Sequence, residues 1–103
     1  MPGRTLLAIA FAGLLSVPAH AATIQITIDK LVYNLPTVNA KVGDTVEWIN
    51  KDVLAHTATA RNHDWNVTIG PKKTGKVVLK KPGTVDYYCT FHPNMKAQLV
   101  IAP

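Results

Sequence analysis

The chain is 103 residues long and 48% hydrophobic, with 11 Lys and Arg residues against 6 Asp and Glu, a net charge of +5. This length allows one domain and leaves no room for a second, catalytic one. The modest basic excess favours acidic partners. Without a basic arm, a recognition helix or a stacking motif, it does not indicate a nucleic-acid-binding protein.

Residues 1–21 are predicted to be a secretory signal peptide. Arg4 supplies the positive start, residues 6–17 form an apolar run, and Ala19-His20-Ala21 fits the small-x-small cleavage rule. The alternative, an uncleaved membrane anchor, needs about 20 apolar residues, and this run stops at Pro18. We therefore expect an exported, periplasmic protein without stable membrane association, whose mature domain is residues 22–103.

The rest of the chain alternates polar and apolar residues between turn signals, as half-buried strands do. Strands are predicted at residues 23–28, 38–42, 45–50, 65–69, 76–79, 84–88 and 96–101. Residues 31–35 are predicted to be a short connection, and residues 57–69 are less regular apart from the alternation of Trp65, Val67 and Ile69. No stretch has a sustained helical period.

Seven or eight short strands separated by turns indicate an all-β protein, a β-sandwich. The strand pattern alone does not separate a sandwich from a barrel. The predicted core residues are Ile24, Ile26, Ile28, Val46, Trp48, Val67, Val78, Val85, Tyr87, Leu99 and Ile101.

Cys89 is the single cysteine of the chain, so it cannot form an internal disulfide. In an exported protein such a residue indicates an intermolecular bond, a reactive thiol or a metal ligand. His92 and Met95 follow at intervals of three and favour the metal ligand. A trigonal site of two His and one Cys with a weak axial Met describes a blue-copper electron-transfer centre. The second His must lie upstream, and His56 is well placed to supply it.

Residues 89–95, Cys-Thr-Phe-His-Pro-Asn-Met, resemble the copper loop of the small blue copper proteins, or cupredoxins. The Cys-x-x-His-x-x-Met spacing is similar to that of amicyanins, while plastocyanins resemble it in type with a longer loop. The resemblance covers most of the mature chain. Residues 42–50 resemble the strand before the first His ligand, residues 52–56 the loop that carries this ligand, and residues 82–89 the strand that carries the Cys.

The resemblance implies a plastocyanin-like Greek-key β-sandwich that binds one copper ion, Cu(I) or Cu(II), through His56, Cys89, His92 and Met95. It implies a monomeric electron carrier and not an enzyme. By family analogy its redox partners are a donor dehydrogenase and an acceptor cytochrome or oxidase. In the family, the ligand corresponding to His92 reaches the surface within an apolar patch. The candidate residues for this patch are Val53, Leu54, Ala55, Phe91 and Pro93.

Three positions depart from the amicyanin pattern. Thr57 replaces an Asn that ties the two ligand loops together, although its hydroxyl retains a donor and an acceptor. Phe91 replaces a Pro and Asn94 replaces a Phe around the solvent-facing ligand. The ligand set is unchanged, and the changes affect the surface that a partner would meet.

Other interpretations remain open at this point. A copper-delivery protein without a redox circuit would use the same four ligands, although such proteins favour exposed, Met-rich sites. A zinc-stabilised module is disfavoured by a Met ligand, since zinc sites use Cys, His and carboxylate. His63, in a polar segment, is interpreted as a surface loop residue. The lysines at 72, 73, 76, 80 and 81 either steer acidic partners or form an ordinary solvated face.

Overall fold

The computed structural model describes residues 20–103, so most of the predicted signal peptide lies outside the described residues. Nine strands occur in this part of the chain. Their bounds are β1 Thr23–Asp29, β2 Val32–Tyr33, β3 Thr37–Lys41, β4 Thr45–Asn50, β5 His56–Ala60, β6 Asn66–Ile69, β7 Thr74–Val78, β8 Gly83–Tyr88 and β9 Lys96–Ala102. From residue 20 onward there is no helix, and hence none that could cross a membrane.

The strands form two sheets that pack face to face. One sheet has the order β2-β1-β4-β7, and the other has the order β3-β9-β8-β5-β6. The β1–β4 and β3–β9 pairs are parallel and the others are antiparallel. The prediction of an all-β sandwich is confirmed. The strand count exceeds the predicted seven or eight because residues 31–35 contain the two-residue strand β2, and because the irregular segment after residue 56 contains β5.

The core lies between the sheets, where alternate residues of each strand point inward. Trp48 and Tyr87 are its largest fully buried side chains, and Trp48 Nε1 donates a hydrogen bond to the Tyr87 hydroxyl over 3.3 Å. Burying one such large apolar side chain stabilises the fold by about 1.5–3 kcal/mol. Most predicted core residues are buried, and Ile24 and Val67 are partly buried against the core.

Val78 was predicted to be a core residue, and this prediction is wrong. Its side chain is 48% exposed, while Val77 packs against the core. The residues of β7 that face inward are Gly75 and Val77, followed by the buried Leu79. Gly75 has no side chain to show this period in the sequence, so the alternation was read one residue out of phase.

The topology brings the candidate ligands to one end of the sandwich. Strands β5 and β8 are neighbours, with Thr59 opposite Tyr88. His56 is the first residue of β5, and Cys89 follows the last residue of β8. The connection from β8 to β9 is the segment that contains His92 and Met95. An upstream residue and three residues of one short loop therefore meet where β5 begins and β8 ends.

Candidate metal centre

The loop from Cys89 to Met95 is closed by hydrogen bonds between the residues predicted to be ligands. The His92 amide donates to the Cys89 carbonyl over 3.2 Å, and the Met95 amide donates to the His92 carbonyl over 2.8 Å. The Cys89 amide completes the set by donating to the Met95 carbonyl over 3.0 Å. The three-residue spacing therefore corresponds to two successive turns, and their hydrogen bonds fix the backbone of Cys89, His92 and Met95.

His56 and Cys89 are fully buried and lie side by side. The His56 Nδ1 atom is 3.7 Å from the Cys89 Sγ atom. For metal–sulfur and metal–nitrogen bonds of about 2.3 and 2.0 Å, this 3.7 Å separation corresponds to a sulfur–metal–nitrogen angle of about 120°. A trigonal arrangement of two His and one Cys has this angle between its ligands. The two residues are therefore already spaced as ligands of one metal ion.

Asp52 determines which nitrogen of His56 is free to bind a metal. The His56 Nε2 atom lies 2.8 Å from an Asp52 carboxylate oxygen. An ionised carboxylate only accepts hydrogen bonds, so Nε2 carries the proton and Nδ1 presents its lone pair toward Cys89. A metal-binding histidine commonly donates a hydrogen bond from one ring nitrogen to a carboxylate, and this bond orients the other ring nitrogen toward the metal.

The same carboxylate also stabilises a strained turn between β1 and β2. Asp52 accepts hydrogen bonds from the amides of Lys30 and Leu31, at 2.8 and 3.0 Å. Both of these residues have positive φ angles, 54° and 62°, which non-glycine residues rarely adopt. Partial desolvation opposes ionisation, but the hydrogen bonds from Leu31, His56 and Lys30 prevail and lower the pKa of Asp52. Asp52 thus joins the turn at residues 30–31 to the buried histidine.

Asn50 holds the segment between β4 and His56. It is 2% exposed, and its side-chain amide donates to the carbonyls of Leu54 and Gly70 over 2.8 and 3.0 Å. Its side-chain oxygen accepts from the Asp52 amide over 2.9 Å. Because a buried polar group is costly unless it is hydrogen-bonded, these contacts give residues 51–55 a defined path.

Thr57 connects the two segments that carry the candidate ligands. Its amide donates to the Cys89 sulfur over 3.3 Å, and its hydroxyl accepts from the Thr90 amide over 2.9 Å. A threonine therefore makes the connection that the resemblance assigned to asparagine. A hydrogen bond to sulfur favours the thiolate, the form in which cysteine binds metals.

His92 and Met95 differ in their access to solvent. Met95 is 4% exposed and belongs to the core cluster, whereas His92 is half-buried. The two imidazole rings of His56 and His92 are 5.2 Å apart between centroids, at an interplanar angle of 60°. His92 also lines an open groove of about 410 Å³ together with Leu31, Phe91 and Pro93.

Exposed apolar side chains flank His92. Phe91 is 56% exposed and Leu31 is 41% exposed, and both line the same groove as His92. Val53 and Leu54, in the segment before His56, are 74% and 49% exposed. Of the predicted patch residues only Ala55 is not strongly exposed. Leu31 was missed because nothing in its local sequence shows that the turn between β1 and β2 lies beside His92.

The donor types of these four residues match those that copper prefers. Their positions match a copper site in part. In the described part of the chain, no three side chains of the His, Cys, Asp and Glu types are arranged to hold a metal ion as they stand. His56 and Cys89 have the required separation, His92 lies beside them, and the Met95 thioether lies in the same cluster. Two soft sulfur donors with two imidazoles match copper better than zinc.

Comparison with known proteins places the chain in a family. The family model described as a cupredoxin-like domain matches residues 5–101. The chain belongs to the cupredoxin-like domain family. It is 33% identical over 93 residues to amicyanin of Paracoccus denitrificans, a match that covers 76% of this chain and 64% of that protein. It is 30% identical over 91 residues to MauL, a methylamine utilization protein of Methylorubrum extorquens, with 84% and 80% of the two chains covered.

The solved structures support the same assignment. The crystal structure of amicyanin from Paracoccus versutus matches with a TM-score of 0.67 and 29% identity, over 84% of this chain and 85% of that one. These findings confirm the predicted resemblance to cupredoxins of the amicyanin type. Amicyanins and plastocyanins are electron carriers and not enzymes, and this agrees with the prediction that the chain is not an enzyme.

Sequence reasoning named the four candidate ligands and the connecting Thr57, but it missed Asp52 and Asn50. Asp52 lies four residues before His56, so a carboxylate at that interval was an available signal. Asn50 and Leu31 had no comparable signal. His63 is exposed, with a φ angle of 69°, as expected for a loop residue.

Proposed function

We propose that this cupredoxin is an exported electron-transfer protein with one type 1 copper, bound by His56, Cys89, His92 and Met95. The observation that carries the proposal is the 3.7 Å separation of His56 Nδ1 and Cys89 Sγ, at the mouth of a loop that supplies two further donors. When bound, copper would supply a one-electron couple, Cu(II)/Cu(I). The partner proteins provide and remove the electron.

The role of the protein side chains is to resist rearrangement. Cu(I) and Cu(II) prefer different coordination geometries, and a rigid intermediate arrangement limits the change between them. Here the backbone of the loop is closed on itself, His56 is fixed by Asp52, and the Cys89 sulfur accepts a hydrogen bond from Thr57. Each contact restrains a donor residue, and none of the contacting groups is itself a proposed metal ligand.

His92 is the proposed route for the electron to and from a partner. It is the donor nearest to solvent, and it is surrounded by the exposed side chains of Leu31, Phe91 and Pro93. Transient redox complexes use small interfaces, which a compact apolar patch suits. By analogy with the relatives, a donor dehydrogenase and an acceptor cytochrome or oxidase are the partner classes proposed for this monomer.

Export to the periplasm belongs to this proposal, since the apolar run at residues 6–17 and the Ala19-His20-Ala21 site have the features of a cleaved signal. Copper delivery is not favoured. A delivery protein must release its ion to an acceptor, whereas His56, Cys89 and Met95 are all at most 4% exposed.

The experiment is purification of the protein from the exported fraction of copper-replete cells. We expect one copper per chain and a colour that ascorbate bleaches and oxidation restores over repeated cycles. Binding of zinc alone, or copper that is lost on the first reduction, would contradict the proposal. Secretion of the full chain would be scored separately, so that a failure of export is distinguished from a failure of copper binding.

A further inference from the structure

The backbone of Ala22, the residue before β1, is hydrogen-bonded through both of its polar groups. The Ala22 carbonyl accepts from the Thr45 amide over 2.9 Å, directly before Thr23 and Thr45 pair at the start of β1 and β4. The Ala22 amide donates to a carboxylate oxygen of Asp44, Oδ1, over 2.8 Å. Ala22 is therefore held in place by the β1–β4 pair on one side and by the Asp44 side chain on the other.

Asp44 is a nearly buried carboxylate with hydrogen-bond donors on both of its oxygens. The residue is 3% exposed. Besides the Ala22 amide, Oδ1 accepts from the Lys41 ammonium and Oδ2 accepts from the Lys41 amide, both over 3.0 Å. The hydrogen bond from Ala22 is the largest cause that lowers the pKa of Asp44, and together with those from Lys41 it outweighs the opposing effect of burial. The carboxylate is therefore ionised at neutral pH, and Ala22 is part of what keeps it so.

Asp44 also lies where the two sheets are joined. It belongs to the turn between β3 and β4, which are strands of different sheets. Its amide donates to the Lys41 carbonyl over 3.0 Å, and its carbonyl accepts from the Leu79 amide, just after β7, over 2.8 Å. A stronger contact between Ala22 and Asp44 therefore acts on a turn that connects both sheets.

This contact is remote from the candidate metal centre. Thr45 is the first residue of β4 and Asn50 is the last, and the Asn50 side chain holds the segment before His56. At about 3.3 Å per residue, β4 separates these two ends by roughly 16 Å. An effect at Asp44 can therefore be measured separately from copper binding.

The predicted signal-peptide cleavage site lies directly before Ala22, after Ala19-His20-Ala21. In the uncleaved chain the Ala22 nitrogen is a neutral peptide N–H group. Cleavage by a signal peptidase hydrolyses the bond between the Ala21 carbonyl carbon and this nitrogen. One water is consumed, Ala21 leaves as a carboxylate, and Ala22 becomes an α-ammonium group. Because Ala22 is exposed, the N–H groups of the ammonium that do not face Asp44 stay hydrated.

We infer that the Asp44 carboxylate is the binding site for the α-ammonium group that cleavage before Ala22 creates. The inference rests on the export proposed above and does not depend on copper. The hydrogen bond from a neutral amide becomes a charge-assisted one to the same oxygen, and charge-assisted hydrogen bonds are roughly twice as strong. Removal of the signal peptide thus stabilises the folded domain as well as releasing it, and only a cut at this bond places the charge beside Asp44.

The secreted protein tests the inference directly. Mass spectrometry should give Ala22 as its first residue. Because the Asp44 carboxylate stabilises the charged form, the pKa of the Ala22 α-amino group, measured by NMR, should lie above its ordinary range of about 7.7–8.0. In Asp44→Asn this pKa should return to the ordinary range. An exported, copper-binding protein that begins at another residue, or a wild-type Ala22 pKa within the ordinary range, would refute the inference and leave the copper function standing.

Unfolding in denaturant measures the effect on stability. At pH 7 the protein that begins at Ala22 should resist unfolding better than one extended by two glycines, which move the charge away from Asp44. A group whose pKa is raised in the fold stabilises fully below its unfolded pKa, so the difference should be lost as the pH rises above about 8. Copper-free and copper-loaded protein should show the same difference. A difference that does not change with pH would contradict the ion pair.

Two variants separate the ion pair from a general effect on the turn. Lys41→Met removes the other cation and should preserve the difference between the two N-termini, whereas Asp44→Asn should abolish it. Hydrogen exchange gives a measurement that needs no substitution. The Thr45 amide should exchange several-fold more slowly in the protein that begins at Ala22, while the Asn50 amide should exchange equally in both forms. A difference that persists in Asp44→Asn, or equal exchange at Thr45, would overturn the inference.

Discussion

Thr57 contacts the ligand loop twice, once through its side chain and once through its backbone. Its hydroxyl accepts from the Thr90 amide, and its own amide donates to the Cys89 sulfur. The hydroxyl is thus the side-chain part of the connection between the β5 segment and the ligand loop. Since valine has nearly the same shape without the hydroxyl, replacing Thr57 isolates this one hydrogen bond.

Thr57→Val should lower the free energy of unfolding by about 1–3 kcal/mol, because the Thr90 amide loses its acceptor. The change should also broaden the NMR signals of residues 89–92. Thr84→Val, at an exposed position of β8, is the control and should change stability little. Denaturant unfolding of the three proteins measures the effect. An unchanged stability in Thr57→Val would show that the hydroxyl does not hold the loop.

Met95→Leu tests the proposed axial ligand. Leucine has a similar volume, so the buried site should lose less than about 1.5 kcal/mol of stability. The protein should keep its colour, and its reduction potential should rise because the axial donor tunes it. Cyclic voltammetry measures the potential. A potential equal to that of the wild type would remove Met95 from the ligand set.

At this scale the donors could be read from the sequence because their types and spacing match the preferences of one metal. Their supports could not. Asp52 contacts His56 across one local interval, but it also contacts Lys30 and Leu31, more than 20 residues away. Asn50 is a polar residue at the end of a strand. Only the structure shows that it is buried and that its side-chain amide donates hydrogen bonds to the loop before His56. Such contacts depend on the tertiary path of loops, which has no local pattern.

Strands β6 and β7 are edge strands of different sheets, and they meet at Gly75. A Cβ atom at this position would lie 2.8 Å from Val67 Cγ1 and 2.9 Å from Ile69 Cγ1. The absence of a side chain at Gly75 lets the two edges close over the core.

Gly75→Ala should therefore destabilise the domain by about 1–3 kcal/mol through overpacking. Gly70→Ala is the matched control, because its Cβ would meet the flexible Lys73 side chain at 3.3 Å. Thermal unfolding of both variants, each with its copper content measured, makes the comparison. A loss for Gly70→Ala as large as that for Gly75→Ala would argue against this packing.

A strand could be predicted from the sequence where its polar and apolar residues alternate regularly, and was missed where they do not. Residues 45–50 alternate cleanly and form β4 as predicted. The two-residue strand β2 is too short to show a period, and His56–Ala60 has only small or polar residues, although His56, Thr57 and Ala58 are all buried. Burial on β5 follows from its place between β6 and β8, which is a property of the assembled sheet.

In the molecule as a whole, the core between the sheets contains two buried tyrosines, Tyr33 and Tyr87, that must stay neutral. Burial raises the pKa of Tyr87 to about 12, against the hydrogen bond from Trp48. Burial, with the nearby Cys89 and Tyr87, also raises the pKa of Tyr33 far above its ordinary value. When folding raises the pKa of a tyrosine, its contribution to the free energy of unfolding is complete below the pKa of an unfolded tyrosine, about 10. This contribution is lost as the pH rises toward the pKa of the tyrosine in the folded protein.

The free energy of unfolding should therefore fall between about pH 10 and 12. Tyr87→Phe should make this decline shallower, although it also leaves the Trp48 donor without its partner. Chemical denaturation at a series of pH values measures the slope. An equally steep decline in Tyr87→Phe would exclude Tyr87 as a cause.

The central claim is that His56, Cys89, His92 and Met95 form one type 1 copper site, and the optical spectrum of the copper-loaded protein tests it most directly. The wild type should show an intense visible band from thiolate-to-copper charge transfer, which disappears reversibly on reduction. Cys89→Ser should lack the band at any copper concentration, while Thr84→Val should retain it. A Cu(II)-loaded wild type without the band, or a Cys89→Ser variant that keeps it, would contradict the account.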